Sequence, residues 1–376
     1  MKIACVIAYY NGSEFIERSL QSAFQQTLPF HEVLVVNDGS SQTEKNNLAH
    51  IANHFPEAKI FHKENGGQGS ARNFGVNNSE SDYICFLDQD DFYLSQHNEI
   101  LASGFRANDK HLGFTYADLW EGEESGEIVR YGMIKDHATH PKTSLIQCLS
   151  EDMFILPSAS MIKKEAYMSV NGFDEQFTGY EDDDLFLRLF RKGWAHKFID
   201  DCVTVWCINN KSTSYSMKMD ESRLRYISKL ISSYPDDPPK HRYYIRDVIL
   251  PRFKPVIASR AVDAFMKGDP NTNRLAGILG EFIRQIKISS PGSELSELEE
   301  HYDNLCMHCQ PEHREAHQAL PLANDEAPTQ SIPPEAKPAS GAGISYNYRT
   351  IGGKTSRFLD VDALRKARLE AADNIP

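Results

Sequence analysis

The chain has 376 residues, 40% hydrophobic and 25% charged, which is enough for roughly two to three domains with a real core. Its 53 acidic side chains outnumber 40 basic ones, for a formal net charge of −13, and it has no lysine or arginine tract. A molecule of that sign repels polyanions at long range, which excludes nucleic acid as the main partner. Seven cysteines, an odd and scattered set, fit reduced cytoplasmic thiols better than a disulfide-stapled fold.

The opening apolar run, Ile3 to Ala8, is too short for a signal-peptide core. Nowhere do 18 apolar residues follow one another, so no transmembrane segment is expected. The expected location is the cytoplasm, with any membrane contact peripheral and at the inner face.

In chain order, Ile3 to Tyr9 reads as a buried strand and Ser13 to Gln26 as a helix. Glu32 to Asn37 reads as a second strand, ending in the turn-forming Asp38-Gly39-Ser40-Ser41. A helix at Thr43 to His54, a strand at Lys59 to His62, a helix at Gly69 to Asn77 and a strand at Tyr83 to Asp88 follow. Strands alternating with helices predict an α/β fold: a Rossmann-like, mixed but mostly parallel sheet with helices on both faces. Ligands of such sheets bind beyond the carboxyl ends of the strands.

Further on, the pattern predicts a helix at Glu99 to Phe105, a strand at Leu112 to Trp120 and an acidic turn at Glu121 to Glu127. A strand at Leu156 to Lys163, helices at Lys164 to Ser169 and Asp183 to Lys192, and a strand pair at Ala195 to Ile199 and Thr204 to Ile208 come next. Helical spacing resumes from Asp220 to about Gln285. Residues 321–345 hold five Pro, five Ala, three Ser and two Gly without an aromatic, a composition that does not repay ordering and reads as a flexible linker. The expected organisation is therefore an α/β domain (1–215), a helical subdomain (216–320), the linker (321–345) and a tail with one helix (346–376). That tail is the expected place for contact with a second copy or with a membrane assembly.

The string Tyr83-Ile84-Cys85-Phe86-Leu87-Asp88-Gln89-Asp90-Asp91 runs an apolar strand into three acids. On an extended chain Asp88 and Asp90 project the same way, and oxygen ligands at the mouth of such a sheet suit Mg²⁺ or Mn²⁺ bridging phosphates. The plain alternative is a solvated acidic turn. A second cluster, Glu181-Asp182-Asp183-Asp184, opens a helix. Acids in a first turn favour the macrodipole, but four in succession exceed what capping requires. Asp38 stands at a strand end, where it either forms a turn or accepts the ring N–H of a base. Gly66-Gly67-Gln68-Gly69-Ser70-Ala71-Arg72-Asn73 opens a helix whose amides and Arg72 suit a diphosphate. It is neither a P-loop nor a dinucleotide fingerprint.

Taken together, Tyr10-Asn11-Gly12, Gln25-Gln26-Thr27, Val36-Asn37-Asp38-Gly39-Ser40, Gly69-x-Ala71-Arg72-Asn73-x-Gly75, Asp88-Gln89-Asp90-Asp91, Gly172-Phe173-Asp174-Glu175 and Glu181-Asp182 stand in an order that resembles glycosyltransferase family 2. This is an inverting family of the GT-A fold that includes bacterial polysaccharide-building enzymes. The resemblance covers about residues 1–215 and implies a role for each match. Asp38 would hold the base of a nucleotide-diphosphate sugar, above the main chain of Ala8 and Tyr9. Arg72 would lie near the nucleotide or its phosphates, Asp88 by the ribose or sugar, and Asp90 would bind Mn²⁺ or Mg²⁺. Asp182 would be the general base and Glu181 would shape the acceptor side, for transfer to a saccharide or lipid-linked hydroxyl.

Many relatives carry a metal-binding histidine after the late strand. Val205 to Ser214 has none, and Asn209 or Asn210 is the available substitute. The family's processive synthases carry a Gln-x-x-Arg-Trp string and membrane helices, both absent here, which points to a distributive enzyme. Two other readings stay open: a non-catalytic nucleotide-sugar-binding or interaction protein, and a sugar nucleotidyltransferase. Cys306, Cys309, His308, His313 and His317 suggest zinc, but the loop between the pairs is shorter than a finger needs. Tyr226, Tyr234, Tyr243 and Tyr244 read as packing residues rather than a sugar platform.

Overall fold

The computed structural model describes residues 1–105, 109–208 and 216–308. The expected linker and tail helix, Asn209, Asn210, Cys309, His313 and His317 lie outside them. The chain divides into two compact units, one ending at Arg252 and one starting at Phe253.

The first unit opens with β1 (Ile3–Tyr9), α1 (Ile16–Phe24), β2 (Glu32–Asp38), α2 (Gln42–Ala52), β3 (Ala58–Lys63), α3 (Gln68–Asn77) and β4 (Tyr83–Asp88). β1 and β2 are buried almost throughout, as continuous apolar runs are when both faces of a sheet are covered. α1 starts later than its periodicity suggests, because the amides of Phe15 and Ile16 both bond the Gly12 carbonyl in a preceding turn. Its buried residues Ile16, Ser19, Leu20 and Ala23 recur at three and four, the inward stripe of an amphipathic helix.

Next come β5 (Phe92–Tyr93), α4 (His97–Ser103), β6 (Leu112–Glu123), β7 (Ile128–Tyr131), α5 (Met133–His137), α6 (Leu145–Ser150), β8 (Ser160–Lys163), α7 (Lys164–Ser169), α8 (Glu181–Arg191), β9 (Ala195–Ile208) and α9 (Met217–Ser233). α4 and α8 start two residues before their expected bounds, β5, α5 and α6 carried no expectation, and three further differences have a clear physical cause. The acidic stretch extends β6 to Glu123 and turns back into β7 as a hairpin. The strand expected from Leu156 starts only at Ser160, after a 3₁₀ turn at Pro157–Ala159, since a proline has no N–H to give a ladder. The expected strand pair is one strand, β9, whose Asp200-Asp201-Cys202 stretch is absorbed by register shifts against β6 at Ala117–Leu119.

The sheet runs β3-β2-β1-β4-β8-β6-β9-β5, with β7 added to β6. β3, β2, β1 and β4 are parallel. β8 is antiparallel to both β4 and β6, and β9 is parallel to β6, so β4, β6 and β9 carry their carboxyl ends to one edge. Ala8 sits there between Val36 of β2 and Asp88 of β4. The architecture is the Rossmann-like α/β sandwich expected, with a mixed sheet and a helical C-terminal region.

The second unit contains the rest of α10 (Leu250–Lys267), α11 (Thr272–Ser289) and α12 (Ser296–His308). α11 and α12 approach closely at Gly280, where a Cβ would lie 2.7 Å from the Tyr302 ring. No helix among the described residues is long and apolar enough to cross a membrane.

Candidate active site

At the carboxyl edge the chain leaves β4 through a turn at Gln89-Asp90, closed by the Asp91 amide on the Asp88 carbonyl at 3.1 Å. Strand alternation therefore stops at Asp88 and does not set the direction of Asp90, contrary to the extended geometry expected. Gln89, given no role from sequence, pairs its side-chain amide with the main chain of Tyr10: Oε1 accepts from the amide at 2.8 Å and Nε2 donates to the carbonyl at 3.2 Å. A Cβ on Gly12 would fall 2.3 Å from that amide and push it aside, so glycine there leaves room for the Gln89 pairing. Asp91 is buried and accepts the Cys207 amide at 2.8 Å. Burial, then the charges of Asp90 and Asp88, push its pKa well above the usual carboxylate range. It faces the protein interior and is not placed as a nucleophile.

The buried guanidinium of Arg72 on α3 joins the two acid clusters. Nη2 lies 2.5 Å from Asp88 Oδ1 and Nη1 lies 3.4 Å from Glu181 Oε1. Burial alone would lower its pKa, but Asp88, Glu181 and then Asp182 more than offset that, and the net shift is upward. The guanidinium carbon stands 5.1 Å from the Phe173 ring centroid. Gln68, at the start of the same helix, donates to Asp88 Oδ1 at 2.7 Å. Next to Arg72, Asn73 stitches in the Gly172–Glu175 loop: it accepts the Phe173 amide at 2.9 Å and donates to the Phe173 carbonyl and to Glu175, both at 2.9 Å. Gly172 has φ +66°, and a Cβ there would sit 2.4 Å from Asn73 Oδ1. This accounts physically for the two motifs occurring together.

All four acids lie in the first turn of α8, which follows Tyr180 at φ 65°. Asp183 and Asp184 are both buried. Asp183 accepts the Met153 amide at 2.9 Å, with Arg252 Nη2 at 3.5 Å. Asp184 pairs with Arg188 at 2.7 Å and with Lys229 of α9 at 2.6 Å. Asp182 is half-exposed and accepts the Asp183 amide at 2.9 Å. Tyr226 is buried against Tyr180, ring centroids 5.2 Å apart, as a packing residue.

Asp38 is 3% exposed, and its carboxylate accepts from the amides of Gly66 and Gly67 at 2.9 and 2.7 Å and from Lys63 Nζ at 2.7 Å. It thereby fixes the glycine turn that precedes α3. The Tyr9 side chain is buried with its hydroxyl on Glu44 at 2.7 Å, while Ala8 is half-exposed beside Asp88.

No group of three His, Cys, Asp or Glu side chains among the described residues is arranged to hold a metal ion. Asp88 and Asp90, both half-exposed, offer oxygen donors one residue apart. One or two carboxylates with substrate phosphates and water is how Mg²⁺ is ordinarily held, so the donor chemistry fits.

The family model described as Glycosyl transferase family 2 matches residues 4–169, and that of the N-terminal domain of galactosyltransferase matches residues 155–205. A glycosyltransferase of Rickettsia conorii, RC0461, is 29% identical over 196 residues, which are 52% of this chain and 32% of that protein. The glycosyltransferase YwdF of Bacillus subtilis is 27% identical over 237 residues, 61% of this chain and 83% of its own. The chain thus spans about a third of the length of the Rickettsia relative. Residues 1–349 of Staphylococcus aureus TarS, solved with UDP, share the fold at a TM-score of 0.55 and 17% identity, over 82% of this chain and 87% of that one. Sheet order and comparisons together place the domain in the fold class of GT-A glycosyltransferases. Over residues 4–169 the chain is thus similar to glycosyltransferase family 2, and its relatives include bacterial glycosyltransferases.

Proposed function

We propose that this chain transfers a sugar from a nucleoside-diphosphate sugar, most naturally the uridine form, to a hydroxyl of a saccharide or lipid-linked acceptor, inverting the anomeric carbon. The observation that carries the reading is the Arg72 bridge, which ties the donor-side carboxylate Asp88 to the helix turn bearing Glu181 and Asp182. Two groups of acids far apart in sequence thereby border one cleft edge, as a displacement with a base on one side and a leaving diphosphate on the other requires.

In this reading the main chain at Ala8 and Tyr9 floors the base pocket, and Asp38 bounds it through the Gly66-Gly67 turn. Arg72 orients Asp88 toward the ribose or sugar. Asp182 takes the proton of the acceptor hydroxyl, and Glu181 shapes the acceptor side. Asp90, with Asp88 beside it, would hold a divalent cation, which when bound neutralises charge on the departing diphosphate. Direct displacement inverts the anomeric centre; retention by double displacement would need a carboxylate nucleophile, and the buried Asp91 does not offer one.

The test is a panel of UDP- and GDP-sugars scored by thermal protection and slow hydrolysis, followed by NMR of the product anomer. Protection and hydrolysis by one donor, with an inverted product, is the expected result. Binding without turnover would favour a non-catalytic nucleotide-sugar binder, and no protection by any donor would reject the reading.

A further inference from the structure

Helix α1 directs two adjacent polar side chains at the turn that carries Asp90. The Ser19 hydroxyl lies 2.7 Å from the carbonyl oxygens of both Gln89 and Asp91, and Arg18 Nη2 donates to the carbonyl of Asp90 at 2.7 Å. Three consecutive carbonyls thus face one turn of one helix. The rest of the guanidinium ties that turn to two other segments. Nη1 donates to the Glu124 carbonyl at 3.0 Å in the β6–β7 hairpin, and Nη2 lies 3.4 Å from Cys207 Sγ at the end of β9. Phe92 stacks beneath at 5.1 Å. Gly126, at φ +88°, lets the hairpin come this close, since a Cβ there would be 2.9 Å from Arg18 Nη1.

These contacts bear on the acids in a definite way. With its carbonyls tied to α1, the Gln89 side chain paired to Tyr10 and the Asp91 carboxylate paired to the Cys207 amide, the main chain of residues 89–91 is held from three directions. Asp88 and Asp90 are the two carboxylates of the string that stay half-exposed. A fixed guanidinium also offsets part of the mutual repulsion of Asp88, Asp90 and Asp91.

We propose that Arg18 and Ser19 are positioning residues for the Asp90 carboxylate: they order its turn in advance, so that a divalent cation meets a preformed oxygen donor. Groups that orient a ligating residue in this way typically change metal affinity about 10- to 100-fold when removed. The inference rests on the reading of Asp90 as the cation ligand.

The experiment titrates Mn²⁺ into the full chain, with and without UDP, following free Mn²⁺ by electron paramagnetic resonance. Arg18→Gln, Arg18→Lys, Ser19→Ala and Asp90→Ala are compared, with thermal unfolding of each. The expected result is Mn²⁺ binding that Asp90→Ala abolishes, that Arg18→Gln weakens about tenfold or more and Ser19→Ala about threefold, with Arg18→Lys between wild type and Arg18→Gln. Equal Mn²⁺ affinity in wild type, Arg18→Gln and Ser19→Ala, with Asp90→Ala still defective, overturns the positioning role and leaves the Asp90 reading standing. Binding that Asp90→Ala does not change, or none in wild type, overturns the Asp90 reading and the inference with it. Should Arg18→Gln fail to fold, Ser19→Ala and Arg18→Lys decide.

Discussion

Arg72 of α3 holds Asp88 at 2.5 Å and Glu181 at 3.4 Å, although 109 residues separate the arginine from the glutamate. One buried cation therefore sets the spacing of the two acid clusters. Arg72→Gln removes the buried cation between two partly exposed carboxylates and should cost about 1–3 kcal/mol of stability. Arg72→Lys keeps the charge but cannot reach both partners with a planar fork. It should fold and lose donor hydrolysis by roughly 10- to 100-fold. Circular dichroism and hydrolysis rates for the two variants check this, and a Lys variant with normal turnover contradicts the bridging role.

Asp182→Asn preserves shape and removes the proposed base. Turnover should fall on the order of 10²-fold or more while donor affinity by calorimetry stays within a few-fold. Asp183→Asn and Asp184→Asn disturb the hydrogen bond to the Met153 amide and the pairs with Arg188 and Lys229 instead. Their expected signature is a lower melting temperature, about 1–3 kcal/mol in stability, with donor affinity retained in what remains folded. Near-normal turnover in Asp182→Asn would remove it from the mechanism.

His97 is fully buried between Asn98 and the Ser158 carbonyl, and burial lowers its pKa from 6.5 to about 4. The folded state keeps it neutral while the unfolded chain takes up a proton below pH 6.5. Stability is thus complete above about 6.5 and declines as the pH falls toward 4, by up to roughly 3 kcal/mol from this residue. Burial depresses His140 in the same sense, to about 3, which deepens the decline. Urea unfolding at pH 7.5, 6, 5 and 4 should trace it, and His97→Gln should flatten the slope.

Glu121 shows the opposite sign. Its carboxylate is buried at the edge end of β6, and neither oxygen has a hydrogen-bond partner among the described residues. Burial raises its pKa, and Arg130 only partly counters this. Such a group favours folding below the unfolded value of 4.5 and loses that contribution as the pH rises through its folded value. Glu121→Gln should therefore raise the melting temperature at pH 8 and change it little at pH 4. Equal effects at the two pH values would show that burial does not shift this carboxyl between the folded and unfolded states.

The alternating strands and helices of the first 90 residues were legible in the sequence, because continuous apolar runs and punctuating turns are local properties. β1 and β4 match their expected bounds, and β2 and α3 differ by one residue. The acid strings and the Gly-x-Ala-Arg-Asn motif were visible for the same reason, and their order carried the resemblance to glycosyltransferase family 2 that the match over residues 4–169 repeats.

Partnership was not visible, because it depends on which side of a turn a side chain leaves and what the sheet brings opposite. Only the fold commits Asp91 to the Cys207 amide, Asp183 to the Met153 amide and Asp38 to the Gly66-Gly67 turn. Arg18, Ser19 and Gln89 carried no sequence signal for their contacts, since each acts on main-chain atoms, which every residue type possesses alike. The local chain determined which elements form and which acids end them; the packing of α1, α3 and α8 around one sheet edge decided which of those acids are buried and which remain half-exposed there.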